Sequence, residues 1–233
     1  MRPFRGHTKT GPLGKLLIGA DAAMRALADP REARLVGVVG EVTGGRALRR
    51  MHERMQKHPV GRTILADRPA IGAGTLKELD GLPPTSLGGA YARFLETHSF
   101  DPDERAPVQF VDDADLAFVM MRYRQVHDLW HVLYGLPPTL LGEVALKWLE
   151  AAQTGLPMAT MAASAGALRL KASERSIVAR HVLPWAARHA ATSTSIDLMC
   201  VYYERQFQRP LADLRKELRI IPCPAVSEIE DSG

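Results

Sequence analysis

Cysteine is nearly absent from this chain: 233 residues contain only Cys200 and Cys223, with no Cys-x-x-Cys pair. That excludes a thiolate zinc site and a secreted disulfide framework, so any metal must be held by histidine and carboxylate. No run of about 18 strongly apolar residues occurs, and none therefore reads as a transmembrane helix. Aromatics make up 6% of the chain, and no nucleic-acid-binding motif accompanies its basic residues, so no nucleic acid is expected as a partner. Acid is missing from residues 1–20, which carry Arg2, Arg5, Lys9 and Lys15. The bias continues at Arg46, Arg49, Arg50, Arg54, Lys57 and Arg62 against Glu53 alone. It suits either a solvated helix face or an anionic membrane surface, and the solvated face is the simpler reading. The basic start faintly resembles an organelle-targeting peptide, but Gly11-Pro12 interrupts it. There is no internal repeat and no low-complexity tract.

What remains is ordinary globular composition, 46% hydrophobic and 24% charged, long enough to bury a core without staples. The pattern is helical almost throughout and predicts an all-α fold. One helix runs from an aspartate cap at Asp112 or Asp113 through the apolar stripe of Leu116, Met120, Tyr123, His127, Trp130, His131 and Tyr134. Further helices are expected over 12–28, 31–41, 45–58, 87–97, 139–153, 157–170, 173–190, 193–208 and 210–219. Loops are expected at Pro59-Val60-Gly61, Gly72-Ala73-Gly74, Leu82-Pro83-Pro84 and Phe100-Asp101-Pro102. The valine-rich Val36–Val42 segment overlaps the helix expected over 31–41 and has, as the alternative, the composition of a strand, though an isolated one. Cys223, between two prolines, is expected in an exposed loop. Residues 1–222 are taken as a single helical domain and 223–233 as a disordered tail.

The densest chemistry lies in His127-Asp128-Leu129-Trp130-His131, followed by Glu143. Histidines at i and i+4 share one helix face, and Asp128 lies about 100° round from His127. Gly135-Leu136-Pro137-Pro138 breaks the helix, so a reversal can bring Glu143 back toward the imidazoles. Two imidazoles and two carboxylates suit zinc, manganese or iron. The bland alternative is a hydrogen-bonded cluster of histidines and acids. A zinc peptidase is excluded because its His-Glu-x-x-His motif needs glutamate where Asp128 stands. From Ala151 to Leu168 there is no charged residue, and the stretch reads either as a tightly packed helix or as the wall of an apolar cavity.

The motif His127-Asp128-x-x-His131, eleven residues, Glu143 resembles the signature of the Coq4 family of ubiquinone (coenzyme Q) biosynthesis. The resemblance extends to Gly40-Glu41-Val42-Thr43-Gly44, Arg105-Ala106-Pro107, Phe110-Val111-Asp112-Asp113 and Arg122-Tyr123-Arg124-Gln125-Val126. It continues at Leu141-Gly142-Glu143-Val144, Lys147-Trp148, Gln153-Thr154-Gly155-Leu156-Pro157, Leu183-Pro184-Trp185-Ala186, Tyr202-Tyr203-Glu204-Arg205 and Leu214-Arg215-x-Glu217-Leu218. It covers about Gly6 to Pro222, so a full mitochondrial transit peptide is not expected in this chain. Two positions depart from it: Phe207 stands where many relatives have tryptophan, and Arg219 replaces a glycine. The resemblance implies a divalent metal, usually described as zinc, at His127, Asp128, His131 and Glu143. It also implies peripheral association with the matrix face of the mitochondrial inner membrane, membership of a ubiquinone-synthesis complex with the other enzymes, and a possible homodimer. The implied reaction is C1 decarboxylation of 4-hydroxy-3-methoxy-5-polyprenylbenzoate to 2-methoxy-6-polyprenylphenol, a carboxy-lyase activity. The competing reading is a non-catalytic scaffold that binds quinone intermediates. Tyr123, Lys147, Tyr203, Glu204 and Arg205 are candidate proton donors, and the polyprenyl tail is expected in an apolar cavity beside the uncharged helices.

Overall fold

The computed structural model describes residues 11, 14, 17–19, 21, 22, 33–190, 196–223 and 226. The helix expected over 12–28 and the acidic tail therefore lie largely outside the described residues. Among the described residues the chain is all-α: the only β-feature is an isolated bridge between Ser86 and Pro210. No helix among them is long and apolar enough to cross a membrane. They form a single helical domain, as the patterning predicts.

The first four helices are α1 (Ala33–Thr43), α2 (Gly45–Lys57), α3 (Pro59–Asp67) and α4 (Ala73–Leu79). The valine-rich segment is therefore helical, not a strand. A lone strand has no partner for its ladder, whereas a helix satisfies its own backbone and turns Val39 into the core. On α2, Ala47, Leu48, Met51 and Met55 are buried, while Arg46, Arg49, Arg50 and Lys57 stay exposed. The basic segment is thus an exposed helix face. Pro59-Val60-Gly61 proves to be the first turn of α3, with Pro59 where its missing N–H costs nothing. Gly61 is required there, because a Cβ would sit 2.4 Å from the Met55 carbonyl oxygen. Gly72 caps α4, so the glycine pair opens a helix and not only a loop.

Helix α5 (Leu87–His98) leads to α6 (Ala114–Tyr134), the central element. Asp113 caps α6 by accepting from the N–H groups of Asp115 and Leu116 at 2.9 and 3.0 Å. Core surrounds most of α6, and Arg122, Tyr123, Arg124, His127 and Asp128 on it are paired inside the molecule. Then come α7 (Leu140–Thr154) and α8 (Pro157–Arg169), an antiparallel pair joined by Gly155-Leu156. Gly155 ends α7 in the left-handed conformation at φ 67°, and Pro157 starts α8. The uncharged stretch packs Met158, Ala159 and Ala163 inward and leaves Met161 and Leu168 exposed.

The expected helix over 173–190 is α9 (Ala172–Ile177), a wider π-turn (Val178–Val182) and α10 (Leu183–Arg188) in continuous succession. Pro184, lacking an N–H and crowding the preceding turn, accounts for the local widening. The helix expected over 193–208 does not form among the described residues. Two 3₁₀ turns stand in its place, Leu198–Cys200 and Tyr203–Arg205. The reason is tertiary: the Gln153 amide takes the Ile196 and His189 carbonyls and accepts from Leu198 N–H, and Asp197 accepts from Met199 N–H. Helix α11 (Leu211–Glu217) follows Pro210. Cys223 is buried, not exposed, because the segment after α11 folds back so that Trp185 donates to the Ile221 carbonyl at 2.7 Å.

Candidate metal centre

The site is built by the turn between α6 and α7. Gly135, at φ 63°, ends α6 with a Schellman pair: Leu136 N–H reaches the His131 carbonyl at 3.0 Å and Gly135 N–H the Val132 carbonyl at 3.4 Å. Thr139 then caps α7, accepting from Gly142 N–H. Gly142 has no room for a side chain, since a Cβ would lie 1.9 Å from the Pro137 carbonyl oxygen. That close approach folds the first turn of α7 onto the end of α6 and carries Glu143 to the imidazoles.

Glu143 Oε1 lies 3.1 Å from His131 Nε2, and Glu143 Oε2 lies 3.9 Å from His127 Nε2. One ligand atom from each of His127, His131 and Glu143 falls within 4.8 Å of the others. The opposite ring nitrogens are occupied. His131 Nδ1 is 3.0 Å from the Leu136 carbonyl, and His127 Nδ1 is 2.6 Å from Glu150 Oε1. Carbonyl and carboxylate oxygens only accept, so each Nδ1 carries a proton, with Lys147 Nζ also 3.5 Å from His127 Nδ1, and each Nε2 is the nitrogen left facing Glu143, bearing a proton when the imidazole is charged and a lone pair when it is neutral. Lone pairs aimed at a carboxylate repel unless a proton or a metal cation stands between them. Phe94 stacks on His131, with centroids 5.4 Å apart, and helps fix the ring plane. His131 is 1% exposed, His127 22% and Glu143 38%, so the cluster is anchored inside and open on the glutamate side.

Charges around the cluster are matched in pairs, with one exception. Asp128 is held by Arg105, which also donates to Tyr91 Oη and the Ile71 and Pro102 carbonyls. Asp128 thus lies beside the three-residue group and not within it. Glu150 is paired with Lys147 at 2.8 Å and accepts from Tyr123 Oη at 2.5 Å. Burial opposes its ionisation, but Lys147 and His127 outweigh burial and hold its carboxyl down at about 2. Glu143 takes no ion pair from lysine or arginine among the described residues, only from the two histidines. Burial raises its pKa, yet the hydrogen bond to His131 and the charges of His127, His131 and Lys147 bring it well below the usual carboxylate range. The donor set fits a divalent cation. Ligands around a tetrahedral zinc at about 2.0–2.2 Å lie about 3.4 Å apart, and the two His–Glu separations of 3.1 and 3.9 Å bracket that spacing.

Of the candidate proton donors, Tyr123 and Lys147 converge on Glu150 beside the site. The other three have structural partners elsewhere. Tyr203 Oη accepts from Trp130 Nε1 and donates to the Leu198 carbonyl. Glu204 holds the buried Arg122, and Arg205 pairs with Asp67 and lies over the Tyr202 ring. Glu150 is the residue that sequence reasoning missed. Its signal is the spacing Glu143, Lys147, Glu150, which places all three on one face of α7.

Comparison with known proteins agrees with this architecture. The family model described as "Coenzyme Q (ubiquinone) biosynthesis protein Coq4" matches residues 4–224. The chain belongs to the Coq4 family. Relatives named "Ubiquinone biosynthesis protein COQ4 homolog, mitochondrial" include one from Rattus norvegicus, 44% identical over 95% of this chain and 83% of its own length. The Homo sapiens protein is 42% identical over the same shares, and the Danio rerio protein is 41% identical over 100% of this chain and 86% of its own. A crystal structure of a protein from Nostoc punctiforme, titled for ubiquinone biosynthesis, has the same fold. It superposes with a TM-score of 0.66 at 21% identity, covering 86% of this Coq4 chain and 95% of that one. The family places the chain in ubiquinone biosynthesis.

Proposed function

We propose that the chain is a metal-dependent carboxy-lyase that removes the C1 carboxylate of 4-hydroxy-3-methoxy-5-polyprenylbenzoate, giving 2-methoxy-6-polyprenylphenol. The observation that carries this reading is the convergence of His127, His131 and Glu143 at a site open to an incoming ligand on the Glu143 side. His127, His131 and Glu143 hold the cation, taken as zinc, and Asp128 is the fourth candidate, which joins only by loosening its pair with Arg105. When bound, the cation supplies Lewis-acid polarisation of the substrate carboxylate or a ring oxygen. In the reaction the para phenolate pushes electron density onto C1, and a proton adds there. The C1–carboxyl bond then breaks, CO2 leaves, and the bonding pair restores the aromatic ring. Lys147, one of the candidate donors and 18% exposed beside the site, is the group assigned to hold or deliver that proton. The polyprenyl tail is assigned to apolar surface beside the uncharged stretch of α8 that ends at Leu168, where burial contributes about 0.8 kcal/mol per CH2-sized unit.

The mitochondrial names of its relatives support a place in that organelle. The proposal puts the chain peripherally on the matrix side of the inner membrane, among the other ubiquinone-synthesis enzymes and as a homodimer. The test is release of labelled CO2 from a prenylated substrate by purified protein, before and after metal removal. The parent is expected to release CO2, and His131→Ala and Glu143→Ala to lose the activity while remaining helical. A parent that binds the prenylated acid, retains metal and releases no CO2 is instead the non-catalytic lipid-binding scaffold. The full burial of His131 favours that second reading, because a cation joining α6 to α7 also serves as a structural staple.

A further inference from the structure

Glu150 is an expensive residue for its position. Its side chain is 0% exposed, and it shares α7 with the buried Leu146, Leu149 and Gln153. A carboxylate is kept in such surroundings only when its oxygens are fully engaged. Both are. Oε2 accepts from Tyr123 Oη and Lys147 Nζ, and Oε1 takes His127 Nδ1 at 2.6 Å. Tyr123 and Lys147 alone suffice to neutralise and anchor the group. The contact they leave unexplained is the one to His127, whose other nitrogen faces Glu143.

We propose that Glu150 is the positioning residue of the cation site, fixing His127 so that its Nε2 lone pair points at Glu143 and His131. This inference rests on the metal reading above. The two imidazoles are held by the same nitrogen, Nδ1, and present the same opposite nitrogen. Their acceptors differ in charge: a backbone carbonyl of Leu136 for His131, a carboxylate for His127. An anionic acceptor makes the imidazole a stronger donor toward a cation, so His127 is the better ligand of the pair and depends on Glu150 for it. Tyr123 acts one layer further out, and Lys147 does so mainly through Glu150, its Nζ 2.8 Å from Oε2 against 3.5 Å from His127 Nδ1. Lys147 lies i+4 from Glu143 and Tyr123 i−4 from His127, and they pin the second oxygen so that the first stays turned to the imidazole.

The test measures metal affinity and ligand field, not activity. The full chain is loaded with zinc in competition with a chromogenic chelator, and in parallel with cobalt(II), whose visible spectrum reports its ligands. Glu150→Gln, nearly equal in volume, is expected to weaken zinc binding roughly ten- to a hundred-fold and to shift the cobalt bands. Tyr123→Phe, which leaves Lys147 to hold Oε2, lowers thermal stability and moves affinity and spectrum less than Glu150→Gln does. Glu150→Asp keeps the charge and shortens the reach, so its zinc affinity falls between those of parent and Glu150→Gln; it also serves should Glu150→Gln not fold. Parent-like affinity and spectrum in either Glu150 variant overturn the proposal, whatever happens to the melting temperature. If the parent itself takes up no zinc, or His131→Ala takes up as much as the parent, the metal reading fails with it. A binding parent with unaffected Glu150 variants sinks only the positioning role.

Discussion

Arg219 has a backbone conformation that suits another residue. It follows α11 at φ 52°, in the left-handed region, and closes a Schellman motif in which Ile220 N–H reaches the Arg215 carbonyl at 2.8 Å. Its side chain is exposed, so nothing packed compensates the strain. The substitution Arg219→Gly is expected to stabilise the fold by about 0.5–1 kcal/mol, read as a higher thermal midpoint. No gain, or a loss, would mean that the arginine makes contacts worth more than the strain. The sequence already marked this position, because the family resemblance expects glycine there; the reason becomes visible only as a backbone angle. Glu204 teaches the opposite lesson. As a charged residue in a recognisable motif it read as a proton donor, yet it neutralises Arg122, whose side chain is 0% exposed. Glu204→Ala strands that guanidinium and is expected to cost about 3 kcal/mol or more by denaturant unfolding. Adding Arg122→Met removes the stranded charge and should recover about 2 kcal/mol of that loss. A double variant less stable than Glu204→Ala would contradict the assignment.

Elements were legible where their ends carry local chemistry. Asp113, Gly135, Thr139 and Gly155 mark the limits of α6 and α7 in the sequence and in space alike. The convergence of His127, His131 and Glu143 therefore followed from helix period and one turn. What sequence could not supply is distant pairing. Asp128 shares the helix arc with the histidines, but Arg105, on the far side of a loop, claims its carboxylate. Residues 196–208 look helical in composition, but Gln153, reached only through the fold, takes their backbone groups. The turn itself can be tested as an element. In Gly142→Ala the added methyl would lie 1.9 Å from the Pro137 carbonyl oxygen, so the first turn of α7 must back away and take Glu143 with it. The expected outcome is a clear loss of bound zinc by elemental analysis, with helical content kept. Full zinc retention would show that the close approach is not what places Glu143.

At the scale of the molecule, the chain is closed by contacts between segments far apart in sequence. Leu87 and Gly88 N–H reach the Arg209 and Phe207 carbonyls at 2.9 and 2.8 Å, and Arg54 binds Asp197 and the Gln153 carbonyl. These ties fasten the C-terminal third to α2 and α5, and α2 to α7. None of them crosses the junction of α6 with the first turn of α7, where Glu143 faces the Nε2 atoms of two imidazoles and, among the described residues, takes no ion pair from lysine or arginine. Without a cation the histidines must bind protons, or the carboxylate must turn to solvent, and either loosens that turn. A cation bound only by the folded arrangement adds RT ln(1 + [L]/Kd), about 4 kcal/mol when free metal is a thousandfold above Kd. For a chain of this length each kcal/mol moves the thermal midpoint about 2–4 °C, so saturating zinc should raise it by roughly 8–16 °C over the chelated protein. Hydrogen exchange should locate the protection lost on chelation at residues 135–143, with α2 and α3 unaffected. A midpoint indifferent to chelator, in protein shown to carry zinc beforehand, would mean that the ion does not join the two helices and that His127, His131 and Glu143 are held together by their own hydrogen bonds.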